Sequence, residues 1–322
     1  QKYIEFDDII RGHVKFDMDQ LDDFILLRSE GSPMYNFVVV VDDNFMQISH
    51  VIRGEEHLAN TPKQILLYQA CNFPVPQFAH LPLILGSDGK KLSKRDAATS
   101  VLDYKKSGFL PQALCNYLVR LGWSYGDQEI FTIEELIKNF SLEHVNKKGA
   151  IFDLKKLEWV NTVYMKKSTG QDLLNIILEN YDNNFIQSLS SWSPDQILTI
   201  IDLYKSRSKT VLELFEQIVD LYNFDQNYSP EIEQYKNETS LQILLEFEKA
   251  LENLHEITLD SVSVLVKNFC VSYKVEFVAV AKPVRIALTG KTVAPGIHEL
   301  IVNLTKQESL ERLRKFLKYL KH

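Results

Sequence analysis

The spacing of apolar residues changes along this chain, and the change limits what the chain can fold into. Up to about residue 86 the apolar residues form short runs separated by turn signals, which predict strands and turns. From about residue 110 they recur at helical spacing, without an intervening strand pattern. Helices are predicted over 110–121, 173–180, 195–204, 211–222, 241–254, 261–273 and 307–321. Two further helices are predicted to begin after the N-terminal caps Thr132 and Asp153. The predicted fold class is therefore α/β followed by all-α.

The α/β part is predicted from strands, polar turns and a helix in that order. Residues 36–41 are a continuous β-branched run closed by two aspartates, which predicts a strand buried on both faces of a parallel sheet. Shorter runs at 3–6, 24–27, 48–52 and 81–85 predict further strands, and Thr61-Pro62 predicts the start of a helix. Ligands collect at the carboxyl ends of parallel strands, where Arg53 and Glu56 lie. A structural ion pair between these two residues is the alternative.

Positive charge is concentrated at residues 88–95, a loop that follows the last predicted strand. Four of the six residues from Lys90 to Arg95 are cations, although the whole chain has a formal charge of −7. Flexible lysines and a planar guanidinium suit phosphate, and Gly89 allows the backbone to approach closely. The loop is a candidate polyphosphate site, with a solvated surface loop as the alternative. Further lysines at 105–106, 147–148, 155–156, 166–167 and 205–209 indicate a surface that could follow a nucleic-acid backbone.

The sequence disfavours several other classes of protein. A catalytic triad is not supported, because no nucleophile or metal partner lies at a recognisable spacing from His50, His57 or His80. The three cysteines lie far apart in apolar stretches and are predicted to be buried thiols: Cys71, Cys115 and Cys270. No apolar run reaches the roughly 20 residues that cross a bilayer, and no secretory signal opens the chain. The cytoplasm is therefore the expected location.

Ordered motifs extend over nearly the whole chain, at residues 32–37, 41–43, 50–57, 60–62, 88–95, 108–111, 122–123, 152–157 and 282–290. Together they resemble bacterial-type glutamyl-tRNA synthetase, a class I aminoacyl-tRNA synthetase. The segment Lys91-Leu92-Ser93-Lys94-Arg95 is similar to the KMSKS loop of that class. The resemblance implies ATP-dependent activation of L-glutamate to glutamyl-adenylate, followed by transfer of glutamate to the 3′ end of tRNA(Glu). The sequence leaves open whether tRNA(Gln) is also a partner.

The resemblance implies that ATP is bound by the basic loop and the strand before it. Lys94 and Lys91 would be the catalytic residues, which neutralise the triphosphate while Mg²⁺ shares its charge. Catalysis would consist of positioning and electrostatic stabilisation, without a protein nucleophile. Further ATP contacts would come from Leu92, Ser93, Arg95 and Ile84, the last through strand backbone near the adenine. No metal ligand and no zinc site are expected in the chain.

The resemblance also assigns residues to glutamate and to tRNA. Tyr35 and Arg53 would line the glutamate pocket, where a guanidinium can hold a carboxylate in a bidentate contact. Glu56 would lie beside them and would either face the terminal adenosine of the tRNA 3′ end or orient the pocket. Packing of the Tyr35 ring on the sheet is the alternative for that residue.

The implied architecture is the second half of a Rossmann-type catalytic sheet followed by a stem-contact region and helical anticodon-binding domains. Residues 1–33 would end an acceptor-arm-binding insertion, 34–86 would form the second half of the catalytic domain, and 87–170 the stem-contact region with the KMSKS loop. Residues 171–235 and 236–322 would be two helical anticodon-binding subdomains. A monomer is expected.

The chain departs from the family in one large respect, since nothing like the HIGH motif occurs in the printed sequence. We therefore expect it to be the carboxyl-terminal part of a longer enzyme, which binds tRNA but forms no adenylate alone. One alternative is a non-catalytic tRNA-binding module derived from a synthetase. Another is a different adenylate-forming nucleotidyltransferase that shares the loop, which the helical half with residues 282–290 disfavours.

Overall fold

The computed structural model describes residues 2–92, 100–224 and 230–321. The chain divides into two compact units, of which unit 1 comprises Gln1–Lys105 with Leu110–Val160, and unit 2 comprises Lys106–Phe109 with Asn161–His322. Each unit has its own hydrophobic core. Among the described residues, no helix combines the length and apolarity needed to cross a membrane.

Unit 1 contains a four-stranded sheet with helices packed against it. Its elements are β1 Tyr3–Asp8, β2 Gly12–Asp17, α1 Tyr35–Phe45, β3 His50–Gly54, a 3-10 segment Glu55–Asn60, α2 Thr61–Ala70, β4 Gln77–Leu81, β5 Ile84–Leu85, α3 Val101–Lys106, α4 Pro111–Arg120, α5 Ile133–Asn139, β6 Ala150–Ile151 and α6 Leu154–Lys167, of which α3 and α6 continue past the unit's limits. The strand order is β2-β1-β4-β3. β3 and β4 are parallel, and β1 joins β4 in parallel through Asp8 and Phe78. The carboxyl ends of β1, β3 and β4 therefore lie at one edge.

The prediction of a strand at residues 36–41 is wrong, because these residues lie within α1. Val40 is fully buried and packs with Ile65 and Tyr68 of α2, and Phe37, one turn earlier on the same face, joins the cluster. In a short run of consecutive apolar residues, the hydrophobic periodicity cannot distinguish a buried helix from a buried strand. β-Branched residues cost only tenths of a kcal/mol each in a helix, roughly 0.5. Packing of one face of α1 against α2 therefore stabilises the helix over the strand.

The other strand predictions have mixed outcomes. The runs at 3–6 and 48–52 are confirmed as β1 and β3, shifted by up to two residues. The run at 24–27 is wrong, since it makes one isolated bridge between Leu27 and Pro33. The run at 81–85 is wrong in its bounds, because β4 ends at Leu81 and β5 begins at Ile84. The sequence also missed β2 and β6, and β6 contradicts the expectation of no strand after the basic loop.

The regular structure of unit 2 is all helical, with no strand among its described residues. Its helices are α7 Gly170–Asn180, α8 Phe185–Ser188, α9 Pro194–Tyr204, α10 Val211–Tyr222, α11 Glu238–Glu252, α12 Leu259–Tyr273, α13 Phe277–Thr289, α14 Ile297–Leu304 and α15 Lys306–Lys321, with a 3-10 segment at Pro230–Tyr235. The predicted helices are confirmed to within a few residues, whereas α8, α13 and α14 were missed. α11, α13 and α15 pack on one another. Ser/Thr/Asn caps begin most helices, which explains why local sequence predicted them well.

Local capping predictions are confirmed, but the cysteine prediction is wrong. Thr132 and Glu135 form a capping box at α5, and Asp153 accepts hydrogen bonds from the backbone of Lys155 and Lys156 at α6. The cysteines are not buried: Cys115 is exposed, while Cys71 and Cys270 are half-buried. Each lies among apolar neighbours in sequence, yet its own position falls on or near the outer face of a helix.

Candidate functional site

Arg53 lies near the end of β3, at the edge of the sheet where the strands end. Its Nη2 donates to Thr61 Oγ1 at 2.8 Å, and its Nε donates to His80 Nε2 at 3.1 Å. Two contacts from different atoms of one planar group fix the orientation of the guanidinium. Burial lowers the pKa of Arg53, and the neighbouring Tyr35 partly offsets that change. An arginine nevertheless stays protonated at neutral pH.

Tyr35 is the first residue of α1 and lies beside Arg53. Its side chain interacts electrostatically with the guanidinium, and its ring centroid is 6.0 Å from that of His57. The residue is 49% exposed, so about half of it is open to solvent. This exposure disfavours the interpretation of Tyr35 as a packing residue. The structure therefore brings the two predicted glutamate-pocket residues together.

A buried Asp–His pair lies beneath Arg53. Asp8 is 3% exposed and His80 is 0% exposed, and Asp8 Oδ2 is 2.6 Å from His80 Nδ1. Asp8 Oδ1 accepts hydrogen bonds from the backbone N–H groups of Ile10, Arg11 and His80. Burial alone would raise the pKa of Asp8, but these hydrogen bonds outweigh it and lower that pKa. Burial lowers the pKa of His80 against the opposing effect of Asp8, so the ring is neutral at pH 7.

Glu55 connects the end of β3 to the segment before β5. Its Oε1 accepts from the backbone N–H of Leu83 at 3.0 Å, and its Oε2 pairs with Arg11 Nη2. The pair is partly buried, which limits screening by water. Glu55 therefore sets the position at which the chain enters β5.

The first half of the basic loop folds back on β5 as a hairpin. Leu92 N–H donates to Ile84 O at 2.9 Å, and Gly86 N–H donates to Lys90 O at 2.8 Å. Ile84 is 37% exposed and pairs with Ala150 of β6. The hairpin brings Lys91 Nζ to 3.5 Å from Glu56 Oε1. Two predicted site residues 35 positions apart thus meet.

Glu56 is the second residue of the 3-10 segment after β3 and is exposed. Its own backbone N–H lowers the pKa of its carboxyl, with a further contribution from Lys91. It is therefore ionised at neutral pH. Three predicted ATP-contacting residues, Ser93, Lys94 and Arg95, lie outside the described residues.

Several lysines of the predicted phosphate-following surface have partners within the protein. Lys147 Nζ donates to Arg11 O at 3.1 Å. Lys156 pairs with Glu129 at 3.0 Å, and Lys205 pairs with Asp202 at 2.6 Å. RNA phosphates would have to compete with these contacts. Across the described ranges, no group of three or more His, Cys, Asp or Glu side chains is arranged to hold a metal ion.

Sequence reasoning missed four members of the site: Asp8, Glu55, Thr61 and His80. Thr61 was considered as a helix start, and His80 was set aside for lack of a triad. Asp8 lies two residues after the predicted strand at 3–6, so the rule that ligands gather at strand ends could have found it. The partnership between His80 and Asp8 has no local signal, since the two residues are 72 positions apart.

The pH dependence of stability in unit 1 follows from this buried pair. The folded-state pKa of His80 is lowered, so below about pH 6.5 the unfolded chain binds a proton that the folded chain does not. The free energy of unfolding should therefore fall as the pH decreases below about 6.5, by at most about 1.4 kcal/mol per pH unit. Asp8, whose folded pKa is also lowered, should add a second loss below about pH 4.

Chemical denaturation between pH 7.5 and pH 5 measures the histidine contribution. The His80→Gln variant removes the titrating ring and should give a flatter profile over that range. An unchanged slope in the variant would assign the effect to another group.

Two family models match the chain. One, described as the catalytic domain of class I tRNA synthetases (E and Q), matches residues 1–159, and the other, described as an anticodon binding domain, matches residues 177–317. The fold and these matches place the chain among the class I tRNA synthetases. The chain belongs to the glutamate–tRNA ligase family within that class. The fold class expected from the resemblance is confirmed.

The curated relatives bear the name glutamate–tRNA ligase. The Pelobacter propionicus protein is 40% identical over 311 residues, which cover 96% of this chain and 66% of the relative. The Geobacter sulfurreducens protein is 39% identical over 316 residues, covering 98% of this chain and 67% of the relative. The chain thus spans about two thirds of the length of these relatives.

Solved structures give the same family. A glutamate tRNA ligase from Elizabethkingia meningosepticum, crystallised in complex with its amino acid, has a TM-score of 0.84 and 29% identity. It matches 99% of this chain, which covers 66% of that protein. Glutamate-tRNA synthetase from Elizabethkingia anophelis has a TM-score of 0.81 and 30% identity, over 98% of this chain and 66% of that one.

Proposed function

We propose that this chain supplies glutamate recognition, part of the ATP site and tRNA binding for the synthesis of glutamyl-tRNA. The reaction is activation of L-glutamate by ATP to glutamyl-adenylate, with release of pyrophosphate, and transfer of glutamate to the 3′ end of tRNA(Glu). The observation that supports it best is the position of Arg53 at the sheet edge, beside the exposed Tyr35. Hydrogen bonds to His80 and Thr61 hold the Arg53 guanidinium in a fixed orientation. Family membership supports the same conclusion.

Arg53 and Tyr35 bind a carboxylate of L-glutamate in this proposal. A guanidinium whose plane is already fixed loses little entropy when it binds a carboxylate. The half-buried position raises the strength of the charge interaction relative to water. Tyr35 contributes a hydroxyl from the N-terminus of α1, where the helix dipole also favours a negative group.

Lys91 and Lys94 neutralise the triphosphate of ATP as the negative charge of the transition state develops. Mg²⁺ accompanies ATP as part of the substrate. The Lys91 side chain is 62% exposed and, within the described part of the chain, forms an ion pair with Glu56 at 3.5 Å, so a phosphate can compete for its charge. Further contacts to ATP come from Leu92, Ser93, Arg95 and the backbone of Ile84.

Glu56 faces the terminal adenosine of tRNA, and the helical unit binds the anticodon. The proposed domains are the end of the acceptor-arm-binding insertion, the second half of the catalytic domain, the stem-contact region and two anticodon-binding subdomains, with the limits 1–33, 34–86, 87–170, 171–235 and 236–322. tRNA(Gln) is a candidate second partner, and the protein acts as a monomer in the cytoplasm, where tRNA is charged.

The proposal is tested by tRNA binding and by adenylate formation with the purified chain. We expect tRNA(Glu) to bind at least about tenfold more tightly than an unrelated tRNA, because base contacts add about 1–3 kcal/mol to phosphate contacts. Binding should weaken as salt increases. Exchange of pyrophosphate into ATP with L-glutamate and Mg²⁺ should be absent, since these 322 residues contain no HIGH motif.

Two outcomes would change the proposal. Equal binding of tRNA(Glu) and an unrelated tRNA would contradict the anticodon assignment. Glutamate-dependent exchange would show that the printed residues suffice for activation. The alternative of a non-catalytic tRNA-binding module predicts that tRNA binds and that L-glutamate does not bind at Arg53. Titration of the chain with L-glutamate therefore separates the two functions.

A further inference from the structure

We infer that Asp8 and His80 are positioning residues for Arg53, which act through one fixed tautomer of the His80 ring. The inference rests on the proposed function only for the identity of the ligand that Arg53 binds. Its structural part concerns how the guanidinium is held. Asp8 and His80 touch neither glutamate nor ATP in this proposal and act through Arg53.

The first constraint on the tautomer comes from Asp8. The carboxylate of Asp8 is an acceptor, and its Oδ2 is 2.6 Å from His80 Nδ1. The backbone N–H groups of Ile10 and Arg11 also hold the carboxylate, at 3.0 and 2.9 Å, so it cannot rotate away freely. Nδ1 of the neutral ring must therefore carry the proton.

The second constraint comes from Arg53 and is independent of the first. Arg53 Nε is a donor without a lone pair, and it is 3.1 Å from His80 Nε2. Nε2 must therefore present its lone pair toward the guanidinium. Both sides of the ring require the same tautomer, with the proton on Nδ1 and the acceptor at Nε2.

Thr61 contacts both the Arg53 guanidinium and the His80 ring. Its Oγ1 accepts from Arg53 Nη2 at 2.8 Å and lies 3.1 Å from His80 Nε2. Thr61 is 0% exposed, so water does not replace either contact. Arg53, Thr61 and His80 thus form a closed set of polar contacts, in which the ring accepts and the guanidinium donates.

A purely structural role for His80 makes a different prediction. Asp8 ends β1 and is paired with β4 at a single position, so the Asp8–His80 hydrogen bond could simply hold these strands together. That role requires the Nδ1 side of the ring. Positioning of Arg53 requires the Nε2 side. Two amide substitutions separate these sides: His80→Asn retains a donor near the Nδ1 position, and His80→Gln places an amide oxygen near the Nε2 position.

Nuclear magnetic resonance of the ¹⁵N-labelled chain tests the inference directly. Long-range ¹H–¹⁵N correlations of His80 should show a protonated Nδ1 and an unprotonated Nε2. The Arg53 Nε–H should exchange slowly with water in the wild type and in His80→Gln, and at least about tenfold faster in His80→Asn, as expected on loss of about 1.4 kcal/mol from one charged hydrogen bond. An Nε2–H tautomer, or equal exchange in both variants, would overturn the inference.

Titration with L-glutamate adds the functional measurement. We expect His80→Asn to bind L-glutamate about tenfold more weakly than the wild type, and His80→Gln to recover most of that loss. Thermal unfolding of both variants controls for the structural role, which His80→Asn should preserve better. The reverse order of glutamate affinities would overturn the inference. A wild type that does not bind L-glutamate contradicts the proposed role of Arg53, while the tautomer and exchange measurements still decide how Arg53 is held.

Discussion

Replacement of Arg312 by methionine should lower the free energy of unfolding of unit 2 by about 3 kcal/mol or more, since each buried acceptor left without a partner costs about 1–3 kcal/mol. Arg312 is 7% exposed on α15. Its Nη1 donates to Leu288 O at 2.6 Å, and its Nη2 donates to Leu221 O at 2.8 Å. These carbonyls belong to the last turns of α13 and α10. Carbonyl groups in the last turn of a helix have no hydrogen-bond donor within that helix.

Methionine replaces the aliphatic stem of Arg312 but supplies no donor. It also leaves Glu308 without the contact that Arg312 Nη2 makes at 2.6 Å. The guanidinium carries positive charge at the negative ends of two helices, so the variant loses an electrostatic contribution as well. Three elements of unit 2 depend on this one side chain.

Arg314→Met is the matched control, because Arg314 lies on the same helix two residues away. It pairs with Glu248 and Glu252 at 2.7 and 2.6 Å, but its own side chain is 48% exposed, so water weakens these pairs and they contribute less than the buried contacts of Arg312. Urea denaturation followed by circular dichroism should separate the two variants clearly. Similar losses for both would indicate that the buried carbonyls find water or other donors when Arg312 is removed.

Replacement of Gly108 by alanine should destabilise unit 2 by about 3 kcal/mol, the sum of a left-handed backbone cost of about 1–2 kcal/mol and a steric clash. Gly108 has a φ of +83°, and a Cβ there would lie 2.4 Å from the backbone N of Leu212. The same glycine accepts a hydrogen bond from Val211 N–H at 2.9 Å. The clash is with backbone at the start of α10, which cannot move aside as a flexible side chain could.

Gly126→Ala separates the backbone cost from the clash. Gly126 has a φ of +52°, and within the described part of the chain no atom lies within 4 Å of its added Cβ. The control variant should therefore lose about 1 kcal/mol, from the backbone conformation alone. Because Gly108 belongs to unit 2 and Gly126 to unit 1, the loss in free energy of unfolding is measured for the unit that carries each change. If Gly108→Ala lost no more than Gly126→Ala, the start of α10 would have to be free to move.

Sequence reasoning was most successful for features that depend on neighbouring residues. The helices of unit 2 follow from apolar spacing and N-terminal caps, and α10 is confirmed with its predicted bounds, Val211–Tyr222. Arg53 and Glu56 were found from their position after a strand, and Lys91 from its charged loop. The resemblance to the synthetase family came from motifs read in order along the chain, and the comparisons confirm it.

The failures came where packing between distant segments decided the outcome. Residues 36–41 have the composition of a buried strand, yet one face of α1 packs on Ile65 and Tyr68 of α2. The cysteines lie in apolar stretches, but the orientation of each helix on its core determines which side chains are exposed. Neither result can be obtained from a local window of sequence.

By itself the sequence determined the helical second half, the caps, the basic loop and the family, because each is encoded by residues a few positions apart or by their order. The tertiary structure alone decided how Arg53 is held. His80 lies 27 residues from Arg53 and 72 from Asp8, and the parallel pairing of β3 and β4 with β1 brings all three to one sheet edge. Such contacts depend on strand register across long chain separations, which hydrophobic burial of the whole unit sets.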